Sequence, residues 1–343
     1  MAKLVTAREI KFMVDGLPWL RTSERTAFRR CPQAWWWGTR QGLKPKAGAA
    51  QALWFGTGWH LGLSEYYLPG FKRGVDPIKT WLDYCDREHE MVPIFKDEGK
   101  EYMEARDLGV EMFKGYKKKW AEEDKGWKFL APEMTAYVAL RDPDTGEHFV
   151  NYLMTADGVF ENHNHEAKPV ELLENKTAAR MVTTHLPRDD QAGTYPFVMT
   201  DYLRKMKVIV DPIETVRYSI ARKDVPKPDD RPRDENGLAL NKDGSVSKRQ
   251  EAQAPLFHRE DVYRSREEQT NQIRRIRAEV NAMNYMREDP ENRLYKNHDQ
   301  HCAWCPFIEM CDLHEAGGDW ETLRDWAFYR QDPYAPYELR KVA

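Results

Sequence analysis

The sequence predicts a mixed α/β fold: a helical N-terminal subdomain, a β-rich core and a cysteine-bearing C-terminal clasp. Three observations carry that expectation. Between residues 78 and 120 apolar side chains recur at threes and fours, with Ala105, Leu108, Met112, Tyr116 and Trp120 on one helical face. From residue 133 the texture turns to alternating β-rich runs in "EMTAYVALRDPDTGEHFVNYLMTADGVFE". Toward the end, Cys302, Cys305 and Cys311 form C-x2-C-x5-C, a spacing suited to a metal-held knot. The expected divisions are 1–132 for an N-terminal cysteine segment and helical subdomain, 133–222 for the core sheet and its helix, 223–256 for an exposed insertion, and 257–343 for the last helix and the cysteine region.

Each element has a local reason. "PWLRTSERTAFRRCPQAWWWGTR" opens a short helix, with Thr22 or Ser23 as its expected N-cap. "LWFGTGWHLGLSEYY", with glycines at 56, 58 and 62, reads as a turn feeding a helix that begins near Trp59. "DPDTG" is a strong turn signal, so the runs on either side of it pair as a hairpin. "PVELLENK" is a further strand, after the polar loop "ENHNHEAK". "RDDQAGTYPFVMTDYLRKM" is helical, and Pro196 within it removes a backbone hydrogen bond and predicts a kink. "KVIVDP" and "ETVRYSIARK" read as strands. Residues 223–256 are rich in Pro, Asp, Gly and Lys and poor in apolar side chains, which makes them an exposed excursion. A charged helix over about 259–288 leads into the cysteines.

A chain of 343 residues can bury a sizeable core, and 32% charged residues mark a hydrophilic protein. No run approaches the ~18 apolar residues of a membrane span, and "MAKLVTAREIKF" lacks the apolar centre of a signal peptide. The expected compartment is the cytoplasm. A net charge of −3 does not advertise a nucleic-acid binder. Residues 21–46, however, carry Arg21, Arg25, Arg29, Arg30, Arg40, Lys44 and Lys46 against Glu24 alone, a local +6 suited to a polyanion. Trp35, Trp36 and Trp37 in that segment suit either base stacking or packing. Arg264, Arg266, Arg274, Arg275 and Arg277 are a second expected basic surface. Five cysteines in a reducing compartment argue for metal rather than disulfides. Three clustered thiols need a fourth ligand, for which Cys31, Cys85, His301 and His314 are candidates.

The chemistry concentrates in "ELLENK" and "TADG". Alternate residues of a strand share a face, so Glu174 and Lys176 project together while the Asn175 side chain points away. Asp157 ends the run "NYLMTAD". Two carboxylates from adjacent strands suit a hard divalent ion such as Mg2+ or Mn2+, and a lysine beside them can stabilise charge developing on a phosphoryl group. Glu133 and Glu171 are spare carboxylates.

With these residues in place, the chain resembles the PD-(D/E)XK nucleases, and within them the RecB-like and CRISPR-associated exonucleases that carry an iron–sulfur cluster. Five features stand in that family's order. "RRCPQAWWW" is similar to its N-terminal cysteine–proline with following aromatics, and "FGTGWH" to its glycine-led helix with a metal-binding histidine. "TADG" and "ENK" match its Asp and (D/E)-x-K motifs, "QAGTY" its Q-x-x-x-Y motif, and "CAWCPFIEMC" its C-terminal cysteines. Met154 stands where that family commonly has a glycine.

The resemblance implies a restriction-endonuclease-like core with Mn2+ or Mg2+ held by His60, Asp157, Glu174 and the carbonyl of Asn175. Lys176, Asp157, Glu174, Gln191 and Tyr195 would be the catalytic set. It also implies a 4Fe–4S cluster on Cys31, Cys302, Cys305 and Cys311, with Cys85 a buried thiol. The implied activity is DNA phosphodiester hydrolysis, exonucleolytic on single-stranded ends, with partners in recombination, repair or CRISPR adaptation and no membrane. Two rival functions are a catalytically idle DNA-binding or assembly subunit that keeps the fold and cluster, and a zinc-stapled interaction protein.

Overall fold

The computed structural model describes residues 12–46, 51–89, 99–250 and 253–334. The first two turns of structure are a three-residue strand β1 (Trp19–Arg21) and helix α1 (Thr22–Arg30), followed by α2 (Pro32–Trp35) and a five-residue π-helical turn at Trp36–Arg40. Arg21 occupies the N-cap of α1 and no side chain caps it, so neither Thr22 nor Ser23 plays the expected part. Residue 21 is instead the last residue of β1, and strand pairing sets where the helix begins. Strand β2 (Leu43–Pro45) precedes three long helices: α3 (Gln51–Tyr66), α4 (Pro77–His89) and α5 (Lys100–Trp120). Part of the expected 78–120 helix, residues 90–98, lies outside the described residues.

Helix α3 begins eight residues before the expected Trp59, with its glycines inside it. Glycine is costly in a helix, but here it lets neighbours close in. A Cβ on Gly58 would stand 2.5 Å from the Trp81 ring of α4 and 2.6 Å from Tyr84. What reads in sequence as a turn is the seam of a helix bundle. Trp59 stacks on Phe113 of α5 with ring centroids 4.1 Å apart, and Cys85 lies fully buried in the same core.

Two sheets follow. Strands β3 (Trp127–Ala131), β4 (Met134–Arg141), β5 (His148–Ala156), β6 (Gly158–Asn162), β7 (Val170–Ala178), β8 (Thr215–Arg222) and β9 (Phe257–Tyr263) supply them, with helix α6 (Asp190–Lys205) between β7 and β8. The hairpin around "DPDTG" is present as antiparallel β4 and β5, and β1 joins its outer side in parallel. The larger sheet runs β3-β6-β7-β8-β9, and its single parallel pair, β7 with β8, is the one crossed by α6. One face of that sheet packs on α3, α4 and α5. The other, with the β4–β5 hairpin, packs on α6 and on the long helix α7 (Arg266–Glu288).

Two expectations change. "KVIVDP" forms no strand: Lys207 adopts φ 59°, and the Val208 N–H closes back on the Leu203 carbonyl at the end of α6. The charged stretch from 259 begins as edge strand β9, and α7 starts only at the capping box of Ser265 and Glu268. Helix α6 continues through Pro196. The excursion 223–250 forms two short bridged turns, Arg233 with Ala239 and Leu240 with Val246, with Asp229 paired to Arg231 and Arg233.

After α7 come α8 (Pro290–Arg293), a 3-10 turn at Gln300–Trp304, α9 (Ile308–Glu315), α10 (Trp320–Ala327) and β10 (Phe328–Arg330). Strand β10 pairs antiparallel with β2, which ties this end to the N-terminal segment. Its core is small: Trp37, Leu43, Phe307, Met310 and Phe328 are the buried apolar side chains. No described helix is long and apolar enough to cross a membrane.

Candidate active site

Strand β7 is central in the larger sheet, so its side chains are sheltered on both faces. Glu174 and Lys176 alternate onto the face that meets α6, and Lys176 Nζ donates to Glu174 Oε1 at 2.6 Å. Leu173 and Asn175 face the other way, toward α3 and its neighbours. Asp157 sits where the chain leaves β5 for β6 and so passes from one sheet to the other. Gly158 permits this passage, because a Cβ there would lie 2.8 Å from the Phe129 ring. Asp157 Oδ2 accepts the Asn175 N–H at 2.6 Å, and Asp157 Oδ1 lies 3.0 Å from His60 Nδ1 on α3.

The chain of contacts continues into α6. Asp189 caps this helix by accepting the Gln191 N–H at 2.8 Å, which fixes the first turn. Lys176 Nζ then donates to Gln191 Oε1 at 2.5 Å, and Gln191 Nε2 donates to the Tyr195 hydroxyl at 3.1 Å. Gln191 and Tyr195 lie one turn apart, in the turn where Pro196 cannot bond the Ala192 carbonyl, and their side chains meet nonetheless. The structure brings together His60, Asp157, Glu174, Asn175, Lys176, Gln191 and Tyr195.

The electrostatics follow from burial. Glu174 is 3% exposed, and burial chiefly raises its carboxyl pKa, with Asp157 adding to the rise against the opposing pull of Lys176. Burial alone would lower Lys176, but the Glu174 carboxylate outweighs it and the ammonium is raised. His60 behaves alike: burial lowers it, Asp157 and Glu174 together raise it, and the net direction is up. Burial sends the Tyr195 phenol far above its ordinary range.

One atom stands out. Glu174 Oε2 is buried and has no hydrogen-bond partner, an arrangement that costs free energy unless something compensates the oxygen. A hard cation would do so, and an oxygen-rich set of Glu174 and Asp157 beside His60 is the donor chemistry such a cation takes. Among the described residues, no three His, Cys, Asp or Glu side chains already stand grouped as a ready-made ion site.

The two spare carboxylates part company. Glu133 precedes β4 opposite Asp157; burial and Asp157 raise its pKa, and His60 opposes them, so it belongs to this neighbourhood. Glu171 points from the other face of β7 and is held by Arg217 and by Asn162.

A cavity of about 570 Å3 opens beside Gln191 and Tyr195, walled by Arg21 at the end of β1, by Ser23, Thr26 and Arg29 of α1 and by Arg188. Sequence pattern alone singles out neither Arg188 nor Thr26 for a site; an arginine immediately before a helix cap carries no motif. The expected basic patch is largely spent internally. Arg25 is fully buried, Arg29 pairs with Asp190 and Glu279, and Arg40 pairs with Glu24. Trp35 and Trp37 are also buried, so they pack rather than stack on bases, and the Trp35 indole donates to Glu24. Arg274 and Arg277 of the second expected basic surface pair with Asp144 and Asp142, and Arg264 with Glu268.

Away from this site, Cys31, Cys302, Cys305 and Cys311 line one cavity with Arg30, Trp37, Lys296 and Phe307 in its wall. The Asn297 N–H reaches Cys31 Sγ at 3.5 Å, and Cys302 Sγ lies 3.8 Å from the Asn297 carbonyl. Burial raises the thiols of Cys305 and Cys311. Cys85 is remote from them in the helical core, and burial pushes its thiol up to about 12. His301 pairs with Asp299, and the His314 ring packs against Trp37 and Trp320.

Set against known protein families, residues 22–312 match the family described as the PD-(D/E)XK nuclease superfamily. No curated protein matches the chain.

Proposed function

Because the chain belongs to the PD-(D/E)XK nuclease superfamily, we propose that it is a metal-dependent deoxyribonuclease, an exonuclease acting on single-stranded DNA ends. The observation that carries this reading is the unpartnered buried oxygen of Glu174, whose other oxygen accepts from Lys176, itself bonded to Gln191 in the wall of an arginine-bearing cavity. His60, Asp157, Glu174 and the Asn175 carbonyl would hold one or two Mn2+ or Mg2+ ions. Bound there, such an ion supplies Lewis-acid stabilisation of charge on the phosphoryl oxygens. Lys176 acts on the same charge. Held by Glu174 and Gln191, its ammonium is already oriented and needs little reorganisation when the charge develops. Gln191 and Tyr195 face the strand, whose phosphates would lie along the cavity with Arg188 at its lip.

Cys31, Cys302, Cys305 and Cys311 are read as the ligands of a 4Fe–4S cluster with a chiefly structural role. Four thiols share one cavity, Cys31 and Cys305 are each followed by proline as terminal cluster cysteines often are, and Arg30 and Lys296 offset the negative charge of a thiolate cluster.

The test uses the anaerobically purified whole chain on end-labelled single- and double-stranded DNA with Mn2+, Mg2+ or EDTA. Metal-dependent shortening of single strands from an end is expected. Absence of any cleavage by folded, fully loaded protein would leave the idle-subunit reading, and iron-free protein holding stoichiometric zinc would replace the cluster.

A further inference from the structure

Arg25 is fully buried where α1, α6 and α7 meet. Its Nε donates to Glu279 Oε2 at 2.5 Å, and its Nη2 to Glu279 Oε1 at 3.2 Å, a bidentate pair with α7. The same guanidinium reaches α6 twice, through Nη2 to Asp190 Oδ1 at 3.4 Å and Nη1 to Thr194 Oγ1 at 3.2 Å. Gln272 of α7 completes the cage, its Nε2 donating at 3.1 Å to both Asp190 Oδ1 and Thr194 Oγ1. Arg29 closes it from outside against Asp190 and Glu279. A buried ion pair contributes little net stability compared with apolar packing, and its better-attested use is to specify one arrangement among several.

What it specifies here can be read from helix geometry. Asp190 and Thr194 are four residues apart and share one face of α6; Gln191 and Tyr195 are the next residues on and share the adjacent face. The cage therefore grips the first turn of α6 on one side while Gln191 grips Lys176 on the other. We propose that Arg25 is a positioning residue for Lys176: through Asp190 and Thr194 it fixes the turn that carries Gln191, and Gln191 fixes the ammonium. Arg25 itself touches no substrate. Lysine could not substitute, since one ammonium lacks the fork that joins two helices at once. This inference rests on the nuclease reading above.

The experiment is a double-mutant cycle on the whole, cluster-loaded chain, with Mn2+-dependent cleavage of a single-stranded oligonucleotide as the readout. Wild type, Arg25→Met, Lys176→Ala and the double variant are compared well below their melting temperatures, with circular dichroism and cluster absorbance as fold controls. Arg25→Met should lower kcat about tenfold or more with KM within about twofold, because small misplacements of a catalytic group are expensive in rate. In the Lys176→Ala background the same substitution should change the residual rate less than about twofold, since coupled residues are non-additive. A full loss in that background, or none in the parent, overturns the proposal. If Arg25→Met does not fold, the cycle is run with Arg25→Met/Glu279→Met, which removes both charges together. Folded wild type that cleaves no strand with either ion overturns the nuclease reading itself, and the role of Arg25 with it.

Discussion

The candidate active site at the end of the larger sheet and the cysteine pocket are built on opposite principles. Around Lys176 the polar atoms, Glu174 Oε2 and Asn175 Oδ1 apart, are already paired with one another, and the whole set hangs on strands and a helix with a large core behind them. Around the four cysteines the side chains converge on a cavity but the fold beneath them is thin, with five buried apolar side chains as its core. On the proposed reading, the first region would keep its shape without an ion, while the second would depend on a metal held by its thiols. Metal would then serve chemistry in the first and architecture in the second.

The sharpest way to break that contrast is to remove a ligand from each region. Glu174→Ala should abolish Mn2+ binding and cleavage together, by three orders of magnitude or so, while circular dichroism stays unchanged; calorimetric metal titration and a gel assay check both. Cys302→Ala should do the reverse in kind: colour is lost, β10 and α9 loosen, and hydrogen exchange rises over residues 296–334 while β7 stays protected. Loosening confined to the sheet would erase the distinction.

Next in size is Lys176→Ala, which should retain fold, metal affinity and DNA affinity yet cut about 10²-fold more slowly, as for loss of one preorganised donor. Parent-rate cleavage by that folded variant would mean the ammonium is only a partner for Glu174.

A smaller effect concerns pH. Burial raises Glu174 and Asp157 raises His60, so both groups bind protons more tightly folded than unfolded. Such groups stabilise the metal-free protein below their unfolded pKa values, and that contribution fades as pH climbs through the raised ones. EDTA-treated protein should melt progressively lower between pH 6 and 8, and added Mn2+ should recover more melting temperature at pH 8 than at pH 6, because the ion must displace those protons. A flat profile in both states would remove Glu174 and His60 from the linkage. Smallest of all, Arg188→Gln should weaken single-strand binding and lower the slope of log affinity against log salt by about one unit or less.

How much of this was legible in the sequence depends on the range of the deciding interaction. The "DPDTG" hairpin, the strand "ELLENK" and the helix "QAGTYPFVMTDYL" are written in local pattern and turn chemistry, and the pairing of Glu174, Lys176 and Asp157 follows from strand alternation. The start of α3 was misread because Gly58 answers to Trp81 and Tyr84, residues of another helix. Edge strand β9 was misread as helix because its partner β8, not its own charged side chains, selects its conformation. The arginine patch was misread most. Counting charge along 21–46 cannot show that Asp190 and Glu279, far away in the chain, meet Arg25 and Arg29.

Those long spans have a consequence in time. Arg25 and Glu279 are 254 residues apart, and Cys31 and Asn297 are 266 apart. Every side chain of the proposed catalytic set has been translated once Tyr195 is made, but Glu279 and Cys311 still lie ahead. At ~5–20 residues per second that gap lasts on the order of ten seconds. On the proposed reading, a chain made only as far as Tyr195 would carry the cutting residues without the clamp that aligns them. The wiring of the fold would then act as a delay, with cleavage waiting on residues translated well after the set they align.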